Sequence, residues 1–249
     1  MNYIVFDLEF NQNISSLIDP RMKISPYPFE IIQIGAVKLD ENLDCMGTFD
    51  RLVKPSIYAE VLPFIEKLTG INNGMLSKQE KFPEVYRDFA DFTGTDAVYC
   101  VWGMSDMREL FRNASFHNLD TGLLTRKFIN LQPYATRCAG LGSQPAKLQA
   151  VVEKFDIEIS GDFHNALSDA RYTSEIFRKI KYQDIEAAEY DLSYRKISVR
   201  RPARIIDSQS LIEQFEKMYQ RNMTEEEKGI IILSYKMGKT GQFLKEKDN

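Results

Sequence analysis

The chain has 249 residues, of which 43% are hydrophobic and 27% are charged, and its formal net charge is −4 at pH 7. This composition predicts one large domain, alone or with a small appendage, and it excludes a disordered chain and broad electrostatic coating of nucleic acid. No apolar run approaches a membrane span and no signal-peptide core follows the first residue, so no membrane association is expected. The three cysteines are widely spaced and form no metal motif, which favours a reducing, cytoplasmic setting.

Hydrophobic patterning predicts an α/β fold with a mixed sheet over most of the chain. Apolar, β-branched runs indicate strands, and apolar residues spaced three or four apart indicate helices. Short connections between the first three strands favour an antiparallel meander, and helices alternate with strands afterwards. The predicted strands cover residues 1–10, 29–40, 46–55, 96–102 and 127–131, and the predicted helices cover 60–69, 82–94, 105–114, 144–155 and 165–181.

The pattern changes after about residue 182, where no convincing strand follows. The last predicted helix opens with Thr224-Glu-Glu-Glu227, a capping box that precedes an apolar run. We therefore expect a core domain over residues 1–182 and a helical C-terminal appendage over 183–249, with helices at 208–221 and 224–237.

A basic cluster lies at the start of this appendage. Residues 195–204 contain five basic side chains and no acid. Arg200, Arg201 and Arg204 are therefore candidate RNA contacts, and a solvated turn is the alternative interpretation.

Asp7 and Glu9 stand two residues apart in an otherwise apolar strand. Residues i and i+2 of a strand point to the same face, so both carboxylates leave the sheet together. Two neighbouring anions in apolar surroundings need a cation, and oxygen ligands of this kind suit Mg²⁺ or Mn²⁺.

Two further acids occur in comparable settings. Asp169 falls near the middle of the apolar stripe of the predicted helix 166–180, where a buried salt bridge or a favourable helix-dipole contact is the alternative to metal binding. Asp106 follows the buried strand 96–102 and starts a helix, where a helix cap or an acid of the first turn is the alternative.

The two histidines receive different interpretations. Five residues separate His164 from Asp169, so both cannot share a helical face, and with Asn165 as cap His164 lies on the preceding loop. Histidine titrates near neutral pH, which suits His164 to take a proton from water. His117 ends a helix and is interpreted as a surface residue without a role.

Together, these residues resemble a known family. Asp7-x-Glu9, Asp106-x-x-x-Leu110 and His164-x-Ala166-x-x-Asp169-Ala170 resemble the three motifs of the DnaQ-like DEDDh 3′→5′ exonucleases, over about residues 2–181. The segments 29–39, 68–71 and 101–106 resemble more closely the Eri-like exoribonuclease branch, which includes the bacterial KapD-like proteins.

The resemblance implies an RNase H-like, mixed five-stranded sheet flanked by helices, and two divalent ions, Mg²⁺ or Mn²⁺. By position it implies Asp7, Glu9, Asp106 and Asp169 as metal ligands and His164 as the general base. Its expected partner is the 3′ end of single-stranded RNA, or alternatively DNA, with release of nucleoside monophosphates.

Two apolar residues beside the expected ligands are candidates for holding the terminal base. Phe10 and Met107 would do so together with Glu9 and His164, and ordinary core packing is the alternative. A catalytically silent nucleic-acid-binding module on the same fold is the alternative from a different functional class. Gly238-Lys-Thr240 lacks the earlier glycine of a phosphate-binding loop, so Gly238 is interpreted as the residue that ends a helix.

Overall fold

The computed structural model describes residues 1–12, 27–180, 185–192 and 207–240. The chain forms two compact units, Met1–Tyr194 and Arg195–Asn249. The expected division into a core domain over residues 1–182 and a helical appendage stays a prediction. The basic cluster of residues 195–204, with Arg200, Arg201 and Arg204, lies outside the described residues.

A mixed six-stranded sheet forms the centre of the first unit. The strands lie in the order β3-β2-β1-β4-β5-β6, where β1 and β4 and also β4 and β5 are parallel and the other neighbours are antiparallel. The strands are β1 (Asn2–Gln12), β2 (Phe29–Leu39), β3 (Cys45–Leu52), β4 (Ala97–Val101), β5 (Lys127–Asn130) and β6 (Ala188–Glu189).

Helices cover both faces of this sheet and form two large hydrophobic clusters with it, and a third, smaller cluster joins Ile32 of β2 to α1 and α2. One face packs against α3 and α4, and the other packs against α5, α6 and α7. The helices of this unit are α1 (Pro63–Thr69), α2 (Asn73–Leu76), α3 (Phe82–Thr93), α4 (Ser105–Phe116), α5 (Gln132–Cys138), α6 (Leu148–Lys154) and α7 (Ala166–Lys179).

One strand and two α-helices of the first unit were not predicted. The sheet has six strands rather than five, because the two-residue β6 pairs with β5 and Tyr190 beyond it stacks on Phe111 of α4. The short helices α2 and α5 also appear, α2 with a cap in which the Asn72 side chain accepts from the Met75 backbone N–H at 3.0 Å. Such elements are too short to carry a periodic pattern, and tertiary packing or local capping decides them.

The second unit contains two helices, α8 (Ser208–Tyr219) and α9 (Glu225–Thr240). The predicted capping box is confirmed, because the Glu227 N–H donates to Thr224 Oγ1 and the Thr224 N–H donates to Glu227 Oε2. The prediction that Gly238 ends the helix is wrong, since α9 continues through Thr240. Among the described residues, no helix combines the length and the apolar composition that a bilayer crossing requires.

Candidate active site

Strand β1 delivers two carboxylates to the face covered by α7. Phe6 and Leu8 point into the core beneath α3 and α4, whereas Val5 belongs to the opposite core. Asp7 and Glu9 alternate with Phe6 and Leu8, so they share the face of Val5, as their spacing predicts. The register of the β1–β2 pair shifts directly after Glu9, where Ile32 of β2 has no partner in β1, and pairing resumes between Phe10 and Ile31.

Gly35 brings helix α7 close to these carboxylates. It lies directly across from Asp7 in the β1–β2 pair. A Cβ atom at this position would lie 2.1 Å from the backbone nitrogen of Leu167 and 2.5 Å from the carbonyl oxygen of Ala166. Only glycine therefore allows the first turn of α7 to touch the sheet here.

Gln33 fastens the same turn to the sheet. This buried side chain lies across from Glu9, and its Oε1 accepts the backbone N–H of Ala166 at 3.1 Å. Its Nε2 donates to Asp50 of β3 at 2.8 Å, which fixes the orientation of the amide. Asn165 completes the helix start, because its Oδ1 accepts the N–H of Ser168 at 3.1 Å.

His164 occupies a tight loop before this cap. Its φ is +65°, an uncommon left-handed conformation for a residue other than glycine. The turn aims the His164 backbone N–H at Asp169 Oδ2, 3.2 Å away, and leaves the imidazole exposed at the mouth of the site. The loop position predicted for His164 is therefore the observed one.

Asp106 comes from the other face of the sheet, in the first turn of α4. The cap position is Met104 and makes no side-chain bond, so Asp106 does not cap the helix. Asn113, two turns later on the same side, donates to the Phe29 carbonyl at 3.1 Å and accepts the Ile31 N–H at 3.2 Å. These bonds hold α4 against the end of β2 and so position Asp106.

The structure gathers the predicted residues into one cluster. Ligand atoms of Glu9, His164 and Asp169 all lie within 4.8 Å of one another. Asp7 and Asp106 are near enough that their negative charges act on the cluster. The site therefore combines two residues of β1, one of α4, one of α7 and the loop before α7.

Burial raises the pKa of all four carboxyl groups, and repulsion from neighbouring carboxylates adds to this at Asp7, Glu9 and Asp106. Burial, followed by the charges of Asp169 and Asp106, raises the pKa of Glu9 to about 8. Burial raises the pKa of Asp106 to about 7, against the opposing effects of its own backbone N–H and of Arg108. Burial likewise raises the pKa of Asp169 to about 6, and that of Asp7 well above its usual range.

This donor set fits divalent cations. Asp169 is only 8% exposed, no described lysine or arginine pairs with it, and its buried Oδ1 accepts no hydrogen bond from the described residues. The salt-bridge alternative for Asp169 is thus absent from the described part of the chain. The Asp169 oxygen is buried without a hydrogen-bond donor from the described ranges and lies beside other carboxylates. A bound Mg²⁺ or Mn²⁺ ion would coordinate this oxygen and reduce the repulsion between the carboxylates.

The remaining candidates lie in different environments. Met107 is fully buried in the core, whereas Phe10 keeps partial exposure and packs on Phe29 with ring centroids 5.7 Å apart. The expectation that His117 is a plain surface residue is wrong. Its ring is half-buried, stacks on Phe82 at 5.4 Å, and has a pKa that burial lowers.

A groove of about 420 Å³ adjoins the cluster on the α1 side. It is lined by residues next to the site, Gln33 and Asn165, and by the loop that follows α1, including Gly70 and Ile71. Gln33, Gly35 and Asn113 were missed in the sequence. Gln33 and Gly35 stand across from Glu9 and Asp7 and could have been found by pairing the two strands. Asn113 bonds to β2 only in the folded chain, so the sequence carries no signal for its role.

Two curated relatives share sequence with the chain. The DNA polymerase III subunit epsilon of Aquifex aeolicus (strain VF5) is 32% identical over 160 residues, which cover 61% of this chain and 71% of that protein. The 3′-5′ exoribonuclease 1 of Mus musculus is 25% identical over 158 residues, or 59% of this chain and 45% of that protein. The chain therefore spans less than half the length of the second relative.

A solved structure shares the fold. The nuclease domain of 3′hExo, a DEDDh family member bound to rAMP, matches with a TM-score of 0.63 at 21% identity, over 76% of this chain and 96% of that chain. The profile of the RNase T exonuclease family matches residues 4–177. These matches confirm the resemblance to DEDDh exonucleases, and the chain belongs to the RNase T exonuclease family.

Proposed function

We propose that this protein is a metal-dependent 3′→5′ exonuclease that removes nucleoside monophosphates from single-stranded RNA. The observation that carries the proposal is the cluster of Glu9, His164 and Asp169 within 4.8 Å, beside Asp7 and Asp106. Buried acids without cationic partners are costly, and a structural role does not require them to converge.

The acids would hold two divalent ions, Mg²⁺ or Mn²⁺. Asp7, Glu9, Asp106 and Asp169 are the proposed ligands. When bound, the ions supply charge stabilisation at the phosphate and favour deprotonation of the attacking water. Because the raised pKa values leave part of the site protonated near pH 7, ion binding would release protons.

His164 is the proposed general base. Its loop leaves the imidazole exposed at the mouth of the cluster, where it can accept a proton from water at a ring nitrogen. The His164 backbone N–H, bound to Asp169, keeps the loop against the site. The water oxygen bonds to phosphorus as the bond between phosphorus and the 3′ oxygen of the preceding nucleotide breaks. That 3′ oxygen takes up a proton, and the terminal nucleotide departs as a nucleoside 5′-monophosphate.

The groove beside Gln33 and Asn165 is the proposed seat of the terminal nucleotide. It has room for a nucleoside, and two of its lining residues are neighbours of the cluster, since Gln33 pairs with Glu9 and Asn165 follows His164. Phe10, partly exposed at the register shift, and Met107 are the proposed apolar neighbours of the base. Met107 would need to become accessible, so Phe10 is the better supported of the two.

RNA is the proposed substrate because segments 29–39, 68–71 and 101–106 resemble the exoribonuclease branch and a curated relative is an exoribonuclease. DNA is the second candidate, because another relative is a DNA polymerase subunit.

Free Cys45, Cys100 and Cys138 support a cytoplasmic location. The core domain over 1–182, the helical appendage and an RNA contact by its basic cluster complete the proposal.

The test compares RNA and DNA side by side. Single-stranded oligonucleotides of one sequence, labelled at the 5′ end, are incubated with Mn²⁺ and the products are resolved by length. The proposal expects stepwise shortening from the 3′ end, faster on RNA. Faster shortening of DNA would select the second candidate, and no shortening of either strand would favour the silent module.

A further inference from the structure

A buried carboxylate holds two arginines of α4 beside the acid cluster. The Glu109 side chain is 1% exposed, whereas those of Arg108 and Arg112 are 31% and 30% exposed. Arg108 Nε donates to Glu109 Oε1 at 3.0 Å, and Arg112 Nη1 reaches both Glu109 oxygens at 2.7 and 2.9 Å. One carboxylate thus orders two guanidinium groups that still face solvent.

The ion pair turns Arg108 toward the site. Around the helix axis Glu109 lies about 60° from Asp106, whereas Arg108 lies roughly 160° from it. The bond to Glu109 therefore draws the guanidinium round toward Asp106. Arg108 is then close enough that its positive charge lowers the pKa of Asp106, whereas burial and the charge of Glu109 raise it.

This arrangement is a poor way to stabilise a helix. Burying a carboxylate costs desolvation, and ion pairs with arginines that stay about 30% exposed offset only part of that cost. The cluster also keeps unused donors. Among the described residues, Nε and Nη2 of Arg112 make no hydrogen bond. A planar guanidinium with free nitrogens matches the oxygens of a phosphate.

We propose that Arg108 and Arg112 bind a backbone phosphate of the single strand on the 5′ side of the scissile bond, with Glu109 as their positioning residue. The inference rests on the proposed function and adds a contact on α4. The groove proposed for the terminal nucleotide has no lining residue from α4, so the two contacts would flank the acid cluster. Together they would hold the strand across the acids.

The experiment measures binding without hydrolysis. A fluorescein-labelled oligo(U) is titrated with the full-length protein in Ca²⁺, and anisotropy is followed between 50 and 200 mM salt. The double variant Arg108→Ala/Arg112→Ala should bind roughly tenfold or more weakly, and the slope of log K against log salt should fall by about 0.7, the value for one phosphate contact on a single strand. The matched control is Arg137→Ala/Arg178→Ala, which removes equal charge from α5 and from the end of α7.

Glu109→Gln separates positioning from simple charge. The change makes the cluster more positive, so electrostatics alone predicts tighter RNA binding. Positioning predicts weaker binding, because the two guanidinium groups lose their common anchor. Tighter or unchanged binding by folded Glu109→Gln protein, or equal affinity and salt slope for the arginine variant and its control, would overturn the proposal.

A minimal substrate distinguishes this inference from the proposed function. A p-nitrophenyl ester of a nucleoside 5′-monophosphate has one phosphodiester and no upstream phosphate. At saturating Mn²⁺, the arginine variant should keep most of the ester hydrolysis although it has lost RNA binding; because Arg108 lowers the pKa of Asp106, the variant should need more Mn²⁺ to reach saturation. Loss of this activity together with RNA binding would place the arginines in the chemistry or in the fold and so overturn the inference. Wild-type protein that hydrolyses neither ester nor strand refutes the proposed function, whereas the binding comparison still decides the role of the arginines.

Discussion

Replacing Glu9 with glutamine should stabilise the metal-free protein in a pH-dependent manner. Glu9 is 8% exposed and its pKa is raised from 4.5 to about 8, mainly by burial and then by Asp169 and Asp106. A raised folded-state pKa means that the folded chain keeps a proton that the unfolded chain has lost. The stability associated with this group is therefore complete below about pH 4.5 and is lost as pH rises through 8.

The magnitude follows from the two pKa values. Each pKa unit corresponds to about 1.4 kcal/mol, so ionisation of Glu9 costs the fold about 4 kcal/mol at pH 8 and about 1 kcal/mol at pH 5. The neutral, similarly shaped glutamine of Glu9→Gln avoids this cost. In EDTA the variant should be more stable than wild type by several kcal/mol at pH 8, and nearly equal to it at pH 5.

Urea denaturation at both pH values measures this difference. The exposed Glu158→Gln is the control, and its stability should follow wild type at each pH. Added Mn²⁺ should reverse the order at pH 8, because only the wild-type site gains the full binding energy of the ion. Equal pH dependence for wild type and Glu9→Gln would refute the claim that the cluster is held together at a cost.

Three further outcomes are expected. His164→Ala should keep its affinity for Mn²⁺ and RNA but turn over roughly 10²- to 10⁴-fold more slowly in single-turnover assays, and near wild-type turnover would exclude it as the base. Gly35→Ala should unfold at lower denaturant and need more Mn²⁺ for half-maximal activity, because α7 must move off the sheet, whereas Gly229→Ala, with open space around its Cβ, should not. Neutralising Arg200, Arg201 and Arg204 of the basic cluster should weaken RNA binding and lower its salt dependence, with little change in the rate at saturating substrate. An unchanged RNA affinity would favour the solvated turn.

The sequence was most informative where charged residues occupy positions that the strand or helix periodicity assigns to a buried face. The two-residue spacing of Asp7 and Glu9 predicted a shared strand face, and the apolar stripe of α7 predicted that Asp169 is buried; both are observed. Asn165 was expected to cap α7 and does so. Each of these inferences depends on local geometry, which a single stretch of chain contains.

Contacts between distant elements could not be predicted in the same way. The close approach of Gly35 to α7, the bond from Gln33 to Ala166 and the hold of Asn113 on β2 each join segments far apart in the chain. The strand β6 depends on packing by Tyr190 rather than on its own two residues. Tertiary contacts determine these short elements and long-range contacts, because the interactions that stabilise them come from residues outside the local sequence.

The most direct test of the account is the metal dependence of strand shortening. A 5′-labelled oligoribonucleotide is followed under single-turnover conditions with Mn²⁺ or with EDTA. Wild type should shorten it from the 3′ end only with Mn²⁺, and each single-acid variant should be slower by orders of magnitude while remaining folded. The single-acid variants are Asp7→Ala, Glu9→Ala, Asp106→Ala and Asp169→Ala. A strand that stays intact with Mn²⁺ and wild-type protein, or shortening that persists in EDTA and in these variants, would contradict the account.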